Sequence, residues 1–501
     1  MLEISELERA AERLEAGVAG LTMGAGAPAR VMGKVSAVAD GGFRIRGVAG
    51  LACVGDAVRL YRADGRVIAG EIVGLAESAA PGAAGGGRDA EAIAMAFGPI
   101  DGAAIGDRAE IAPQRNPRPS DAWLGQVIDA HGAPAGGGAL PEGSQEVALR
   151  AGPPPAFSRR GIGARLRSGH APLDTLLPIC RGQRLGVFAG SGVGKSRLMG
   201  ALAQRMETDV AVIGLIGERG REVRDFVENI MGPEAMSRAV VVAATSDQPA
   251  AVKRRAAWLT LATAEYFRDQ GRQVLLLFDS LTRFAEAHRE VALTSGENAP
   301  GGGFPPSTTP SVAALAERAG PGGGVAGDIT AIFTVLVAGS DMEEPVADMT
   351  RGILDGHIIL NREIAERGRF PAIDVRRSVS RALPEAATED ENALIAEARR
   401  LLAVYEQAEP MIQIGLYQPG ADPEIDRAAQ VWPALDAFFA APSETPEDAF
   451  QHLRVVLGHA PPPPPPTANS TAPIAPARPS DGVRALQDAV SAGPTSGTAS
   501  D

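Results

Sequence analysis

Leu185-Gly186-Val187-Phe188-Ala189-Gly190-Ser191-Gly192-Val193-Gly194-Lys195-Ser196 decides how the rest of this chain is read. An apolar run enters it and has the character of a buried strand. A glycine-rich turn follows, and from Arg197 the residues suit a helix. Strand, turn and helix in this order make a phosphate-binding P-loop. Gly190, Gly192 and Gly194 let the backbone N–H groups from Gly190 through Ser191 and Val193 to Gly194 curl around phosphate oxygens, where side chains would block them. Lys195 can reach the β- and γ-phosphates, and the Ser196 hydroxyl can ligate Mg²⁺. The helix N-terminus adds its positive dipole end. The strict pattern has glycine at 189, and Ala189 is compatible with it at negative φ. The chain holds only three lysines, Lys34, Lys195 and Lys253, so a lysine kept here points to a need for a compact charge.

With 501 residues there is room for two or three domains. The net charge of −13 argues against nucleic-acid backbone binding as the main business. Cys53 and Cys180 lie far apart among apolar residues and read as reduced packing residues. The N-terminus is acidic at Glu3, Glu6 and Glu8 and has no signal-peptide pattern. No run approaches the roughly 18 apolar residues that span a bilayer.

Residues 1–17 have helical spacing of Leu7, Ala10, Ala11 and Leu14, which predicts a short amphipathic helix within a segment 1–25. A β-barrel is expected over 26–100. Its strand candidates are Arg30–Val38, Gly42–Val48, Ala57–Tyr61 and Val67–Leu75, with hairpin turns at Asp40-Gly41 and Asp64-Gly65. Few aromatics and balanced charge make this an assembly module rather than a nucleic-acid platform. Ala79–Gly87 reads as a loop, and 101–170 as irregular chain. The core, assigned to 101–384, alternates strands and helices. Its strands are Arg184–Phe188, Val210–Ile216, Ala239–Ala244, Gln273–Phe278, Ile329–Val337 and His357–Leu360, and a helix is expected over Lys253–Asp269. Alternation of this kind predicts an α/β fold with a parallel sheet. Helices follow over 385–460, opened by a capping box of Thr388 and Glu391. The tail, 461–501, opens on six prolines extending about 19 Å and reads as disordered, with one weak amphipathic piece at Val483–Val490.

Four constellations join the P-loop. Leu275-Leu276-Leu277-Phe278-Asp279 is an apolar strand ending in a carboxylate, the Walker B form, placing Asp279 where it can hold Mg²⁺. Glu218 follows the strand Val212–Ile216 and can orient or deprotonate an attacking water, although Arg219, Arg221 and Arg224 also suit a salt-bridged loop. Arg381, in Ser378-Val379-Ser380-Arg381, suits either transition-state neutralisation or an ordinary surface. Phe370, before Pro371, suits either an adenine face or the core.

From about Pro178 to Pro384 the chain resembles ATPases related to the rotary ATP synthase catalytic subunit, and more narrowly the flagellar and type III secretion export ATPases. The residues that carry this are Arg181-Gly182-Gln183-Arg184-Leu185-Gly186, Ile216-Gly217-Glu218-Arg219-Gly220-Arg221-Glu222-Val223-Arg224, Asp279-Ser280-Leu281-Thr282-Arg283-Phe284, Glu344-Pro345-Val346-Ala347-Asp348 and Phe370-Pro371-Ala372-Ile373-Asp374 running to Arg381. The resemblance implies a RecA-like P-loop core between an N-terminal β-barrel and a helical C-terminal domain. It implies an ATP hydrolase in which Lys195 and Ser196 bind phosphate and Mg²⁺ and Asp279 is the Walker B acid. Glu218 is the implied catalytic glutamate, Arg219 a γ-phosphate contact, Phe370 an adenine-stacking residue, and Arg381 a finger lent to the neighbouring subunit. It further implies a homohexamer in the cytoplasm, peripheral to the inner-membrane export gate. Its implied partners are a regulatory protein at the N-terminal helix, export substrates or chaperones, and no nucleic acid. Departures are the loop Gly296-Glu297-Asn298-Ala299-Pro300-Gly301-Gly302-Gly303-Phe304, where the family has a basic, Tyr-containing loop, a missing Ser near Asp328, and the extra tail. A type III injectisome ATPase, a rotary synthase subunit, an RNA-translocating terminator and a non-catalytic subunit are the other readings. The carboxylate at Glu218 opposes the last.

Overall fold

The computed structural model describes residues 31–39, 41–48, 50–77, 90–337 and 342–459. The expected N-terminal helix, the Ala79–Gly87 loop and the 461–501 tail lie outside the described residues.

Alternating side chains build the first unit. In β3 (below), Val58 and Leu60 are buried while Arg59 between them is exposed, the period-two pattern of a sheet with one wet face. Six antiparallel strands are arranged this way: β1 (Val31–Ala39), β2 (Gly42–Arg46), β3 (Ala57–Tyr61), β4 (Val67–Glu77), β5 (Ala90–Ala96) and β6 (Arg108–Ala112). They close in the order β1-β2-β5-β4-β3-β6 around Ile45, Leu60, Ile72 and Ala94. Gly65 turns the β3–β4 hairpin at φ 82°. Gly70 is required by a close approach, since a Cβ there would lie 2.4 Å from the Met95 carbonyl oxygen. Closure depends on two strands that the sequence reading did not include. β5 is alanine-rich and weak in β-propensity, and β6 lies in the stretch expected to be irregular.

The second unit is a sheet with the order β14-β13-β8-β12-β11-β9-β10-β7. Its strands are β7 (Val127–Ile128), β8 (Arg184–Ala189), β9 (Val210–Glu218), β10 (Ala239–Thr245), β11 (Val274–Asp279), β12 (Asp328–Leu336), β13 (Gly356–Leu360) and β14 (Ile373–Ser380). Seven of these run parallel and β14 is antiparallel to β13; a ninth, two-residue strand, Gly320–Pro321, pairs antiparallel with β12. Continuous apolar runs are needed because both faces are covered. Ala211, Ile213 and Leu215 face one cluster, and Val210, Val212 and Ile216 face the other.

Helix α1 (Lys195–Arg205) fills the first face. Helices α2 (Ala250–Asp269), α3 (Leu281–Thr294), α4 (Thr308–Glu317) and α5 (Pro345–Ile353) fill the second. Helices α6 (Glu389–Gln413), α7 (Pro423–Ala440) and α8 (Pro446–Val456) complete the first face through Leu394, Leu401, Phe438 and Leu453. The capping box of Thr388 and Glu391 opens α6 as expected.

A buried charge joins barrel to core. Glu71 on β4 is 1% exposed and pairs with Arg150 and, at 3.5 Å, with Arg254 of α2. Both arginines stack on Trp258, at 4.0 and 4.7 Å from the ring centroid. Of the two cysteines, Cys180 is buried as expected, but Cys53 is exposed. It sits in the turn before β3, where its N–H donates to Asp56, so the apolar neighbours in sequence do not enclose it.

Candidate functional site

Strand β8 delivers the chain to the P-loop. Ala189 is the last residue of that strand, so its backbone is extended and needs no glycine. Gly192 and Gly194 take the left-handed conformations, at φ 80° and 92°. A Cβ at Gly192 would meet nothing within 4 Å, which leaves the outer rim of the turn open. Val193 is 2% exposed and anchors the turn in the core, so it presents only its backbone. Ser191, Gly192 and Ser196 are exposed. Gly194 begins α1 and directs the helix N-terminus at the turn.

Three neighbouring strand ends bring the charges together. Strands β9, β11 and β12 lie side by side, and their carboxyl ends carry Glu218, Asp279 and Thr334. Lys195 Nζ donates to Asp279 Oδ1 at 2.6 Å and to Glu218 Oε1 at 3.3 Å. Thr334 Oγ1 donates to the same Asp279 oxygen at 2.6 Å. Burial pushes the Asp279 carboxyl above its ordinary range, Glu218 adds to this, and Lys195 opposes it. Burial on its own lowers the Lys195 ammonium, but Asp279 and Glu218 together outweigh that and hold it above the usual value. The lysine is therefore a fixed cation beside an open backbone cradle.

The oxygen donors suit Mg²⁺. The Ser196 hydroxyl and the Asp279 carboxylate are hard ligands of the kind that hold it when phosphate and water complete the shell. Among the described residues no cluster of three or more His, Cys, Asp or Glu could hold a metal by itself.

The other expected residues are placed differently. Arg219 is exposed and its guanidinium donates to Glu222 at 3.3 Å. Phe370 is half-exposed against the P-loop, and a Cβ at Gly194 would lie 3.3 Å from its ring. Arg381 is exposed past the end of β14, where its guanidinium donates to the Arg351 carbonyl at 3.4 Å. Within this chain it touches neither Lys195, Glu218 nor Asp279. Thr334 was not among the expected site residues. Its one sequence signal is a hydroxyl within the apolar strand Ile329–Val337.

Comparison with known proteins matches residues 169–380 to the ATP synthase alpha/beta family, nucleotide-binding domain, and 387–453 to the T3SS EscN ATPase C-terminal domain. A flagellum-specific ATP synthase of Caulobacter vibrioides is 45% identical over 86% of this chain and 96% of its own length. The chain belongs to the flagellar and type III export branch of the ATP synthase alpha/beta family. Membership makes it an ATPase. A SPI-2 type 3 secretion system ATPase of Salmonella typhimurium is 45% identical over 64% of this chain and 73% of its own length. The assembled ATPase EscN of enteropathogenic E. coli, a solved structure, superimposes with a TM-score of 0.75 at 36% identity, over 85% of this chain and all of that one. The barrel, parallel-sheet core and terminal helices are thus the architecture of the family.

Proposed function

We propose that this chain hydrolyses Mg²⁺-bound ATP at subunit boundaries of a homohexameric ring and so drives or primes export of flagellar proteins. One observation carries the reading: Lys195 is held between Asp279 and Glu218 beside an exposed glycine turn. The backbone N–H groups from Gly190 to Gly194 bind the phosphates, and Lys195 exchanges its carboxylate contacts for phosphate oxygens. Ser196 and Asp279 would hold Mg²⁺, which would supply charge neutralisation at the phosphates. Glu218, released from Lys195, orients the water and accepts its proton. Phe370 packs on the adenine. Arg219 contacts the γ-phosphate after turning from Glu222. Arg381 serves the neighbouring subunit's phosphates, in keeping with its exposed place away from its own Lys195.

The EscN relative is described as assembled, and as bound to a central stalk, EscO. A ring with a stalk-like partner is the corresponding reading here, with the export gate, substrates or chaperones, and a regulator at the N-terminal helix as further partners. Among the described residues no helix is long and apolar enough to cross a membrane; the proposed location is peripheral to the inner membrane. The Caulobacter flagellar relative, aligned over 96% of its own length, favours the flagellar machine over an injectisome. Glu218→Gln tests the chemistry: we expect ATP binding at the parent affinity with turnover down at least about 100-fold. Parent-like turnover would remove Glu218 from its role.

A further inference from the structure

A second cavity, of about 920 Å³, lies between the barrel and the core. Lys195, Glu218, Asp279 and the P-loop take no part in its lining. The walls bring four guanidiniums, Arg59, Arg115, Arg118 and Arg255, against two carboxylates, Glu142 and Glu146. That local sign reverses the chain's net charge of −13.

Pairing leaves most of this positive charge unspent. Arg118 is matched by Glu146 at 3.1 Å. Arg59 stands on the outward face of β3, between buried Val58 and Leu60, and alternation turns it from the barrel interior toward the cleft. Arg115 is exposed on the connection after β6. Among the described residues neither Arg59 nor Arg115 has an ion-pair partner. Arg255 comes from α2 and is 6% exposed. Its Nε donates to the Ala130 carbonyl at 3.0 Å, but Nη1 has no partner. A buried guanidinium nitrogen without an acceptor is costly, and a bound oxyanion would relieve that cost. Opposite, His131 packs edge-on against Phe97 with ring centroids 4.9 Å apart. Burial first, and Arg255 next, push this imidazole down, so it adds no charge near pH 7.

We propose that this cavity binds a phosphate-bearing small anion, with Arg255 at its inner end and Arg59 and Arg115 at its mouth. Guanidinium forks match phosphate oxygens two at a time. A compact group can reach Arg255, whereas an acidic protein segment would meet mainly Arg59 and Arg115. The volume exceeds what inorganic phosphate fills, so the group is one end of a larger molecule. Because Arg59 belongs to the barrel and Arg255 to the core, the ligand would bridge the two.

Pyrophosphate, titrated by calorimetry into the full chain carrying Lys195→Ala, tests this with the P-loop disabled. We expect one saturable site per protomer. Arg59→Gln combined with Arg115→Gln, both exposed positions that do not threaten folding, should weaken it about tenfold or more. Arg255→Gln should abolish it and Arg255→Lys retain part. Should Arg255→Gln fail to fold, the exposed pair decides. Absence of saturable binding overturns the proposal. So does binding indifferent to Arg59 and Arg115, which would place the anion elsewhere, or saturation by an acidic peptide but not by pyrophosphate.

Discussion

At Asp279 one carboxylate oxygen accepts from both Lys195 and Thr334, each at 2.6 Å. Removing either donor should have a distinct effect. Lys195→Ala leaves Asp279 and Glu218 without their shared cation and the phosphates without theirs, so turnover should fall about 1000-fold or more in a steady-state ATPase assay. Thr334→Val keeps the shape but strips a buried carboxylate of its hydroxyl donor, a change of about 1–3 kcal/mol. Asp279 then holds its orientation less well, and the Mg²⁺ concentration for half-maximal activity should rise several-fold. An unchanged Mg²⁺ requirement would make Thr334 mere packing. The lysine was legible from the P-loop pattern and Asp279 from its strand-end Walker B form, whereas the residues around Glu218 also suited a salt-bridged loop and its role came from the family resemblance. Thr334 was not legible, because its contact runs across strands and periodicity reports only which face a residue occupies.

Among the elements, the pairing of α2 with the end of α4 carries a buried ion pair. Arg318 and Glu265 are 2% and 4% exposed, and the guanidinium donates twice, at 2.9 and 2.5 Å. Glu265→Gln removes one charge of a buried pair and should cost about 3–5 kcal/mol, read as a lower urea midpoint. Two histidines make a pH prediction. His170 and His288 are each pushed down to about 4, by burial first, then by Arg205 near His170 and Arg254 near His288. The unfolded chain binds their protons near pH 6.5 and the folded chain only near 4, so unfolding takes up protons between those values. Stability is full above about pH 6.5 and should decline toward pH 4, by roughly 1–2 kcal/mol for each group after allowing for solvent screening. Thermal melts across that range should show the decline, and His170→Gln should remove about half of it, leaving the share of His288. The long apolar core strands and the α6 capping box were legible because burial on both faces and paired caps write strong local signals. Strands β5, β6 and β14 were not. β5 is alanine-rich, and β6 and β14 are fixed by their neighbours rather than by their own composition.

Across the whole molecule, a triad of Glu71, Arg150 and Arg254 spans barrel and core. It was hidden in the sequence because its members lie far apart along the chain and meet only when the barrel docks. The proposed division of labour at the candidate site has the same scale. Lys195, Asp279 and Glu218 meet within one chain, while Arg381 lies exposed and apart from them. The proposed site, completed from next door, would account for both. Neither Lys195→Ala nor Arg381→Ala alone then retains an intact boundary. In a randomly mixed ring of equal parts, about a quarter of boundaries pair an intact lysine with an intact arginine. The decisive measurement is ATP turnover by such a mixture after co-assembly has been verified. The account predicts activity well above either parent, approaching about a quarter of the unsubstituted enzyme. A mixture as silent as its parents would contradict it.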